Sequence, residues 1–280
     1  SAGRVQSVTV KLIVQREQEI ADHKPVETFK IVANLEYNGV KFKAELSSNL
    51  ASENEATKFL NSLKDKDFKI IRVTKKPGKR TPSAPFITST LQQEASRVLG
   101  FSVSRTMSLA QRLYESGHIT YMRTDSVSLS KSAMSSAQQQ ITRSFGSHYC
   151  NPRKYQNKNK SAQEAHEAIR PTNFGLSSLE NDSPEDKLYK LIWRKTIASQ
   201  MSDAEIEKTT IEIGFEGISQ NFLSTGEVIK FDGFLKVYNL SSVKEVQSIL
   251  PNVNDGDLVN CVDIIATQKF SRPPARYTEA

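Results

Sequence analysis

The sequence has few cysteines and no long apolar run, and these absences exclude two large classes of protein. Its 2 cysteines, Cys150 and Cys261, lie far apart, and neither is in a CxxC motif or at metal-ligand spacing from a histidine. A disulfide framework is therefore excluded, and two free thiols in a reducing, cytoplasmic compartment are predicted. No apolar run approaches the roughly 18 residues that a membrane-spanning helix needs, and no signal peptide opens the chain, so we expect no membrane partner.

The charge balance is mildly basic. Lys and Arg number 38 against 31 Asp and Glu, which gives a formal net charge of +7 over 280 residues. This modest excess favours a polyanionic partner such as a nucleic acid. Apolar residues make up 37% of the chain, a content typical of globular proteins, and the length predicts about two domains.

Apolar residues alternate with period two near both ends of the chain. Residues 29–37 and 40–46 alternate on either side of Asn38-Gly39, which predicts a β-hairpin, and residues 68–73 predict a further strand. Alternation returns between about 209 and 265. We expect the two strand-rich segments to form one discontinuous domain, with the basic run 75–82 as a connector at its boundary.

The central region has helical periodicity instead. It predicts a helix ended by Gly100, a second helix capped by Ser104 and ended by Gly117, a short helix at 162–169, and a longer helix that begins at Pro184 and buries Trp193. Two helices followed by a strand is the order of a winged helix. The predicted fold class is therefore α+β and multi-domain, with a mainly helical, winged-helix-like domain interrupting the strand-rich one.

The segment 117–126 carries the chemically suggestive side chains. Read as a strand, it places Tyr121 and Arg123 on one face, because strand side chains alternate. A phenol beside a guanidinium suits chemistry on a phosphodiester, where one attacks and the other neutralises the developing charge. On these residues alone, a half-buried strand in which both side chains merely pack is the favoured interpretation.

Five motifs extend the argument to the whole chain. They are SAGRVQS at 1–7, PFITSTLQQEA at 85–95, GHITYMRTDS at 117–126, QEAHEAIRP at 163–171 and PPAR at 273–276. In this order and spacing they resemble the type IA family of bacterial DNA topoisomerases. The resemblance implies that Tyr121 attacks single-stranded DNA, leaving a 5′-phosphotyrosine and a free 3′-hydroxyl, with religation independent of ATP. It also implies that Arg123 neutralises phosphate charge and that His166 assists near the scissile bond.

The resemblance further implies a division of the chain into domains. Residues 1–20 would be a helix of the gate-base domain, in which Arg4, Gln6 and Ser7 line the single-strand groove. Residues 21–80 and 207–270 would form the arch, residues 81–206 the helical domain with the nucleophile, and residues 271–280 a return into the gate-base domain. Asp125 and Ser126 would shape the turn after Tyr121.

The same resemblance concerns the metal. In the family, Mg²⁺ is held by acidic residues of a toprim domain upstream of the position where this sequence begins. We therefore expect no metal site in these residues and no DNA relaxation by them alone. A cytoplasmic, nucleoid-associated monomer is expected.

Two alternatives from other functional classes stay open. In one, the chain is a non-catalytic winged-helix module that binds duplex DNA and Tyr121 only packs. The exposed face of its second helix would then carry Arg105, Gln111 and Arg112. These are few side chains for hydrogen bonds to base edges. In the other, the chain is a clamp arch with a purely mechanical role, which leaves the Tyr-x-Arg pair unexplained.

Overall fold

Helices and strands alternate in blocks along the chain, which the computed structural model describes at residues 3–156, 167–180, 182–238 and 250–279. The helices there are α1 (Arg4–Ala21), α2 (Glu53–Ser62), α3 (Thr88–Leu99), α4 (Val103–Glu115), α5 (Lys131–Phe145) and α6 (Pro184–Ser199). The strands are β1 (Glu27–Tyr37), β2 (Val40–Leu46), β3 (Phe68–Arg80), β4 (Ala204–Phe215), β5 (Ile218–Phe231) and β6 (Leu258–Phe270). Short 3₁₀ helices occupy Ser147–Tyr149 and Gly233–Lys236.

The chain divides into two units. The barrel unit comprises Ser1–Pro77, Glu207–Val228 and Val243–Thr278, and the helical unit comprises Gly78–Ile206 and Ile229–Ser242 together with the last two residues. The assignment of arch, gate-base and tyrosine domains made from the sequence stays a prediction.

The strands form a closed barrel in the order β1-β2-β5-β4-β3-β6. Tyr37 pairs with Val40 across the predicted Asn38-Gly39 turn, and Ile31 of β1 lies opposite Ala266 of β6, so strands from both strand-rich segments share one sheet. Alternate residues of β1 face the interior, where Ala33 and Leu35 are fully buried. Closure pairs the strand edges, which an open sheet would leave free.

The barrel extends beyond the strands that were predicted. The run 75–80, predicted as a connector at a domain boundary, forms the second half of β3 and is therefore not a connector, although the division between the two units does fall within it, after Pro77. Near the other end, the strand pattern expected between about 209 and 265 is interrupted, because β5 ends at Phe231 and a 3₁₀ helix follows. The helix α5 was not predicted.

Local capping signals explain the helices of the helical unit. Gly100 ends α3 with φ of 66°, a left-handed conformation that favours glycine. The hydroxyl of Ser102, not of Ser104, caps α4 by accepting from the Arg105 N–H. Ser183 and Pro184 begin α6 as expected. On that helix Trp193 is buried and its Nε1 donates to the Phe174 carbonyl at 2.9 Å, which confirms its place in the core.

One predicted strand is absent, and one predicted helix is tested only at its last three residues. Residues 117–126 form no strand; within them only Ile119 makes an isolated bridge, to Pro171, so no wing follows α4. Most of the predicted helix at 162–169 lies outside the described residues, and residues 167–169 are not helical.

Both cysteines are free, as expected. Of the described helices, none combines the length and apolarity needed to cross a bilayer.

We predict that Gly233→Ala strongly destabilises the helical unit. Gly233 has a φ of 49°, and an added Cβ would lie 2.3 Å from the Asp203 carbonyl oxygen. Because that oxygen belongs to the backbone, it cannot move away without distorting the chain. Left-handed strain and overpacking together should cost about 3 kcal/mol. Chemical denaturation monitored by the fluorescence of Trp193 measures this. Gly100→Ala is the control: its φ is also positive but no atom lies within 4 Å, so about 1 kcal/mol is expected. Equal losses would contradict the steric argument.

Candidate active site

The segment around Tyr121 is irregular backbone that bends and forms no β-ladder. Met122, Thr124 and Ser126 are buried, whereas Tyr121 is 44% exposed and Arg123 and Asp125 are exposed. The predicted period-two alternation is therefore observed, although the predicted strand is not. Tyr121 and Arg123 share the exposed side of a segment whose other side belongs to the core.

Thr88, the first residue of α3, holds the backbone downstream of Tyr121. Its Oγ1 donates to the carbonyls of Met122 at 2.8 Å and Thr124 at 3.1 Å, and accepts from the Thr124 N–H at 2.9 Å. The Thr88 N–H adds a bond to the Thr124 carbonyl at 3.0 Å. Side-chain and helix-terminal groups thus replace the strand partner that the sequence pattern led us to expect.

Thr120 holds the backbone immediately upstream. Its Oγ1 donates to the Ala168 carbonyl at 2.7 Å and accepts from the Arg170 N–H at 2.9 Å, while its own N–H donates to the Arg170 carbonyl at 2.9 Å. The Ile169 N–H in turn donates to the Phe86 carbonyl at 2.9 Å. The motifs that begin at Pro85, Gly117 and Gln163, distant in sequence, therefore meet around Tyr121.

An ion pair stiffens this junction. The Arg170 guanidinium donates to Glu167 Oε2 from Nη2 at 2.6 Å, and the other carboxylate oxygen of Glu167 accepts from the Ser130 N–H at 2.6 Å. Partial burial by itself would raise the pKa of Glu167, but the bonds from Arg170 and Ser130 outweigh it and leave that pKa below its usual value.

The candidate nucleophile and its cationic neighbour have no polar partner among the described residues: the Tyr121 hydroxyl and the Arg123 guanidinium make no hydrogen bond or ion pair there. The Tyr121 ring packs edge to face against Tyr114, with centroids 5.3 Å apart. Tyr114 lies on the apolar stripe of its helix, yet it is 41% exposed. A phenol and a permanent cation are thus presented together to solvent on a rigid base.

The other predicted site residues lie elsewhere or outside the described residues. Gln6 and Ser7 are exposed in the first turns of α1, in the barrel unit, where Gln6 Oε1 accepts from the Gly3 N–H at 3.3 Å and Ser7 Oγ donates to the Gly3 carbonyl at 3.4 Å. The side chain of Arg4 and the whole of His166 fall outside the described residues. Their roles stay predictions.

Sequence reasoning missed Thr88, Thr120 and Tyr114 as neighbours of the site. Thr88 and Thr120 lie inside motifs that had been recognised, yet a threonine gives no sign of which carbonyl it will bond. Tyr114 falls on the apolar stripe of α4, so periodicity alone assigned it to the interior.

The described residues bring no three His, Cys, Asp or Glu side chains together in a group that could hold a metal ion. The expectation about Mg²⁺ stays a prediction.

The helix that would read duplex DNA in the winged-helix alternative is poorly equipped for it. The Arg105 guanidinium lies over the Phe101 ring at 4.5 Å, Arg112 pairs with Glu185 at 2.8 Å, and Gln111 bonds to Glu115 at 2.7 Å. The groups available for base edges are engaged with the protein itself, and no wing strand accompanies them.

Comparison with known proteins gives a consistent picture. A family model described as DNA topoisomerase matches residues 1–280. The DNA topoisomerase 1 of Zymomonas mobilis is 42% identical over the whole chain, which covers 25% of that protein. Those of Rickettsia felis and Vibrio cholerae are 40% and 41% identical over the whole chain, which covers 40% and 33% of them. The chain thus spans less than half the length of these curated relatives.

A solved structure is similar over almost the whole chain. The full-length topoisomerase I from Thermotoga maritima, in a monoclinic crystal form, superimposes with a TM-score of 0.81 at 35% identity. The match covers 99% of this chain and 46% of that one.

We predict that Glu167→Gln destabilises the helical unit at neutral pH by about 2 kcal/mol, because Arg170 loses its charged partner. The lowered pKa of Glu167 means that its contribution is present above the unfolded value near 4.3 and is lost as pH falls through the folded pKa. The difference in melting temperature between wild type and variant should therefore shrink from pH 7 to about pH 3.

Glu185→Gln is the matched control for this ion pair. It breaks the pair with Arg112, whose side chain is 58% exposed, and should change stability by less than about 1 kcal/mol. A Glu167→Gln effect that did not depend on pH would contradict the assignment.

Proposed function

The chain belongs to the type IA family of bacterial DNA topoisomerases, and we propose that its Tyr121 is the nucleophile that cleaves one DNA strand. The observation that carries the proposal is the exposure of the Tyr121 phenol and the Arg123 guanidinium, neither of which bonds to a described residue, on backbone tethered at both sides. This arrangement suits a nucleophile that must stay accessible and keep a constant position.

The proposed step is a transesterification. The Tyr121 oxygen forms a bond to phosphorus as its proton leaves, the bond from phosphorus to the 3′-oxygen breaks, and that oxygen takes up a proton to become a free 3′-hydroxyl. The product is a 5′-phosphotyrosine. Because one phosphoester replaces another, the reverse reaction reseals the strand without ATP, and strand passage before resealing would relax negatively supercoiled DNA.

Arg123 is proposed to stabilise the charge that builds on the phosphate. A guanidinium stays protonated at any physiological pH and presents a planar fork that fits two phosphate oxygens. A tyrosine phenol, with an ordinary pKa of about 10, is a weak nucleophile near neutrality, so it needs such electrostatic help. His166 is proposed to assist at the same site.

The remaining roles follow from the family. We propose that the barrel unit is part of the arch, that Arg4, Gln6 and Ser7 contact single-stranded DNA, and that the protein acts as a cytoplasmic monomer on DNA. Mg²⁺ would be required by the complete enzyme. Because the resemblance places the Mg²⁺ ligands in the toprim domain, we expect these 280 residues alone not to relax DNA.

The test of the nucleophile uses the complete natural protein with Mg²⁺ and a single-stranded oligonucleotide labelled on the 3′ side of the break. After denaturation, label should travel with the wild-type protein and not with Tyr121→Phe, because only the phenol oxygen can form the ester. Tyr114→Phe is the matched control, since it removes a hydroxyl from the adjacent ring and should retain the label. Label on Tyr121→Phe, or on neither protein despite DNA binding, would contradict the proposal.

A second prediction concerns charge. Arg123→Gln should lower the rate of adduct formation by about 100-fold, the range seen when one transition-state stabilising donor is removed. Arg143→Gln, which removes an exposed arginine from α5, should change the rate less than about 3-fold, as surface changes usually do. Quenched single-turnover assays at saturating DNA measure both. Equal rates for the two variants would mean that Arg123 does not act on the reacting phosphate.

A further inference from the structure

We propose that Thr88 is a positioning residue for the cleavage reaction, whose hydroxyl sets the placement of Tyr121 and Arg123 by holding the backbone on either side of Arg123. This inference rests on the proposed function of Tyr121. It assigns a role to a side chain that itself need not touch DNA, since Thr88 Oγ1 is occupied by protein groups.

The backbone of the reactive segment has few other anchors. Among the described residues, the N–H groups of Tyr121, Met122 and Arg123 have no hydrogen-bond partner. Downstream of the Thr120 tether, every bond from the described residues that holds 121–124 to another element comes from Thr88. A strand would share this task among many ladder bonds, but here it depends on one residue.

The geometry explains why a hydroxyl is needed at this position. One oxygen must donate towards the Met122 and Thr124 carbonyls and also accept from the Thr124 N–H, which only a hydroxyl can do within this space. Thr88 is well placed for it because it begins α3, so its backbone is fixed by the helix, and its branched Cβ restricts χ1. The bonds flank Arg123, and Tyr121 is the residue immediately before Met122.

Loss of the hydroxyl should therefore act on the chemical step rather than on DNA binding. Displacement of a reacting group by about 1 Å can cost 100-fold in rate. The half-buried Thr88 contributes no charge to a DNA surface, so affinity for single strands should be unchanged. Forward cleavage and religation use the same placement of Tyr121 and Arg123, and both should slow together.

The experiment compares Thr88→Val, Thr88→Ser and Thr196→Val in the complete natural protein with Mg²⁺ and the labelled oligonucleotide. Valine keeps the shape and removes the hydroxyl, and serine restores it. Thr196→Val is the control, because Thr196 is buried in the same unit and its Oγ1 donates to the Ile192 carbonyl at 2.9 Å, with no bond to the Tyr121 segment. Adduct-formation rate at saturating DNA, religation rate, dissociation constant and melting temperature are measured for each. If Thr88→Val fails to fold, Thr88→Ala is measured in its place, because the smaller side chain cannot overfill the site.

We expect Thr88→Val to slow adduct formation and religation at least 10-fold with a dissociation constant within 2-fold of wild type, and Thr88→Ser to recover most of the rate. Wild-type rates in Thr88→Val, an equal loss in Thr196→Val, or no recovery in Thr88→Ser would each overturn the inference while leaving Tyr121 as the nucleophile. Absence of the adduct in the wild-type protein would instead defeat the proposed function, and the inference with it.

Discussion

The candidate active site depends on how a short backbone segment without a strand partner is held in place. Two threonine hydroxyls do this from opposite sides: Thr120 bonds to residues 168 and 170, and Thr88 bonds to residues 122 and 124. A hydroxyl both donates and accepts, so each threonine satisfies a carbonyl and an N–H that would otherwise be left unpaired beside a core. Because the inward side chains Met122, Thr124 and Ser126 are buried, the outward ones are presented on a rigid support.

For the proposed nucleophile Tyr121, this arrangement meets two requirements that often conflict. A nucleophile that attacks a polymer must be accessible, yet it must also keep a constant position relative to the groups that stabilise charge. Here accessibility comes from the exposed side of residues 121–123, and rigidity comes from three segments that converge beneath it. The ion pair between Glu167 and Arg170 adds to this support, since the carboxylate also accepts from the Ser130 N–H and so connects the junction to the start of α5.

The two units reach stability by different physical means. In the barrel unit, alternating strands close on themselves, and side chains such as Ile31, Leu35 and Ile70 fill the interior. In the helical unit, short helices with well-defined caps pack around Trp193 and its neighbours, and irregular segments are satisfied by side chains such as Thr88 and Asn173. Irregular segments of the second kind suit a reactive site, because a rigid scaffold positions them while their side chains stay at the surface.

The sequence alone determined features that depend on local chemistry. The hairpin was specified by Asn38-Gly39, the start of α6 by Ser183-Pro184 and the end of α3 by Gly100. The alternation from Tyr121 to Ser126 indicated which side chains of that segment are exposed. The sequence also carried the motifs that identify the family. Only the tertiary structure decided that the strands close into a barrel, that residues 75–80 extend β3, and that residues 117–126 form no strand. The physical reason is that these outcomes depend on which groups distant in sequence accept and donate hydrogen bonds: Thr88 competes for the carbonyls of residues 122 and 124 only after α3 has been brought beside them.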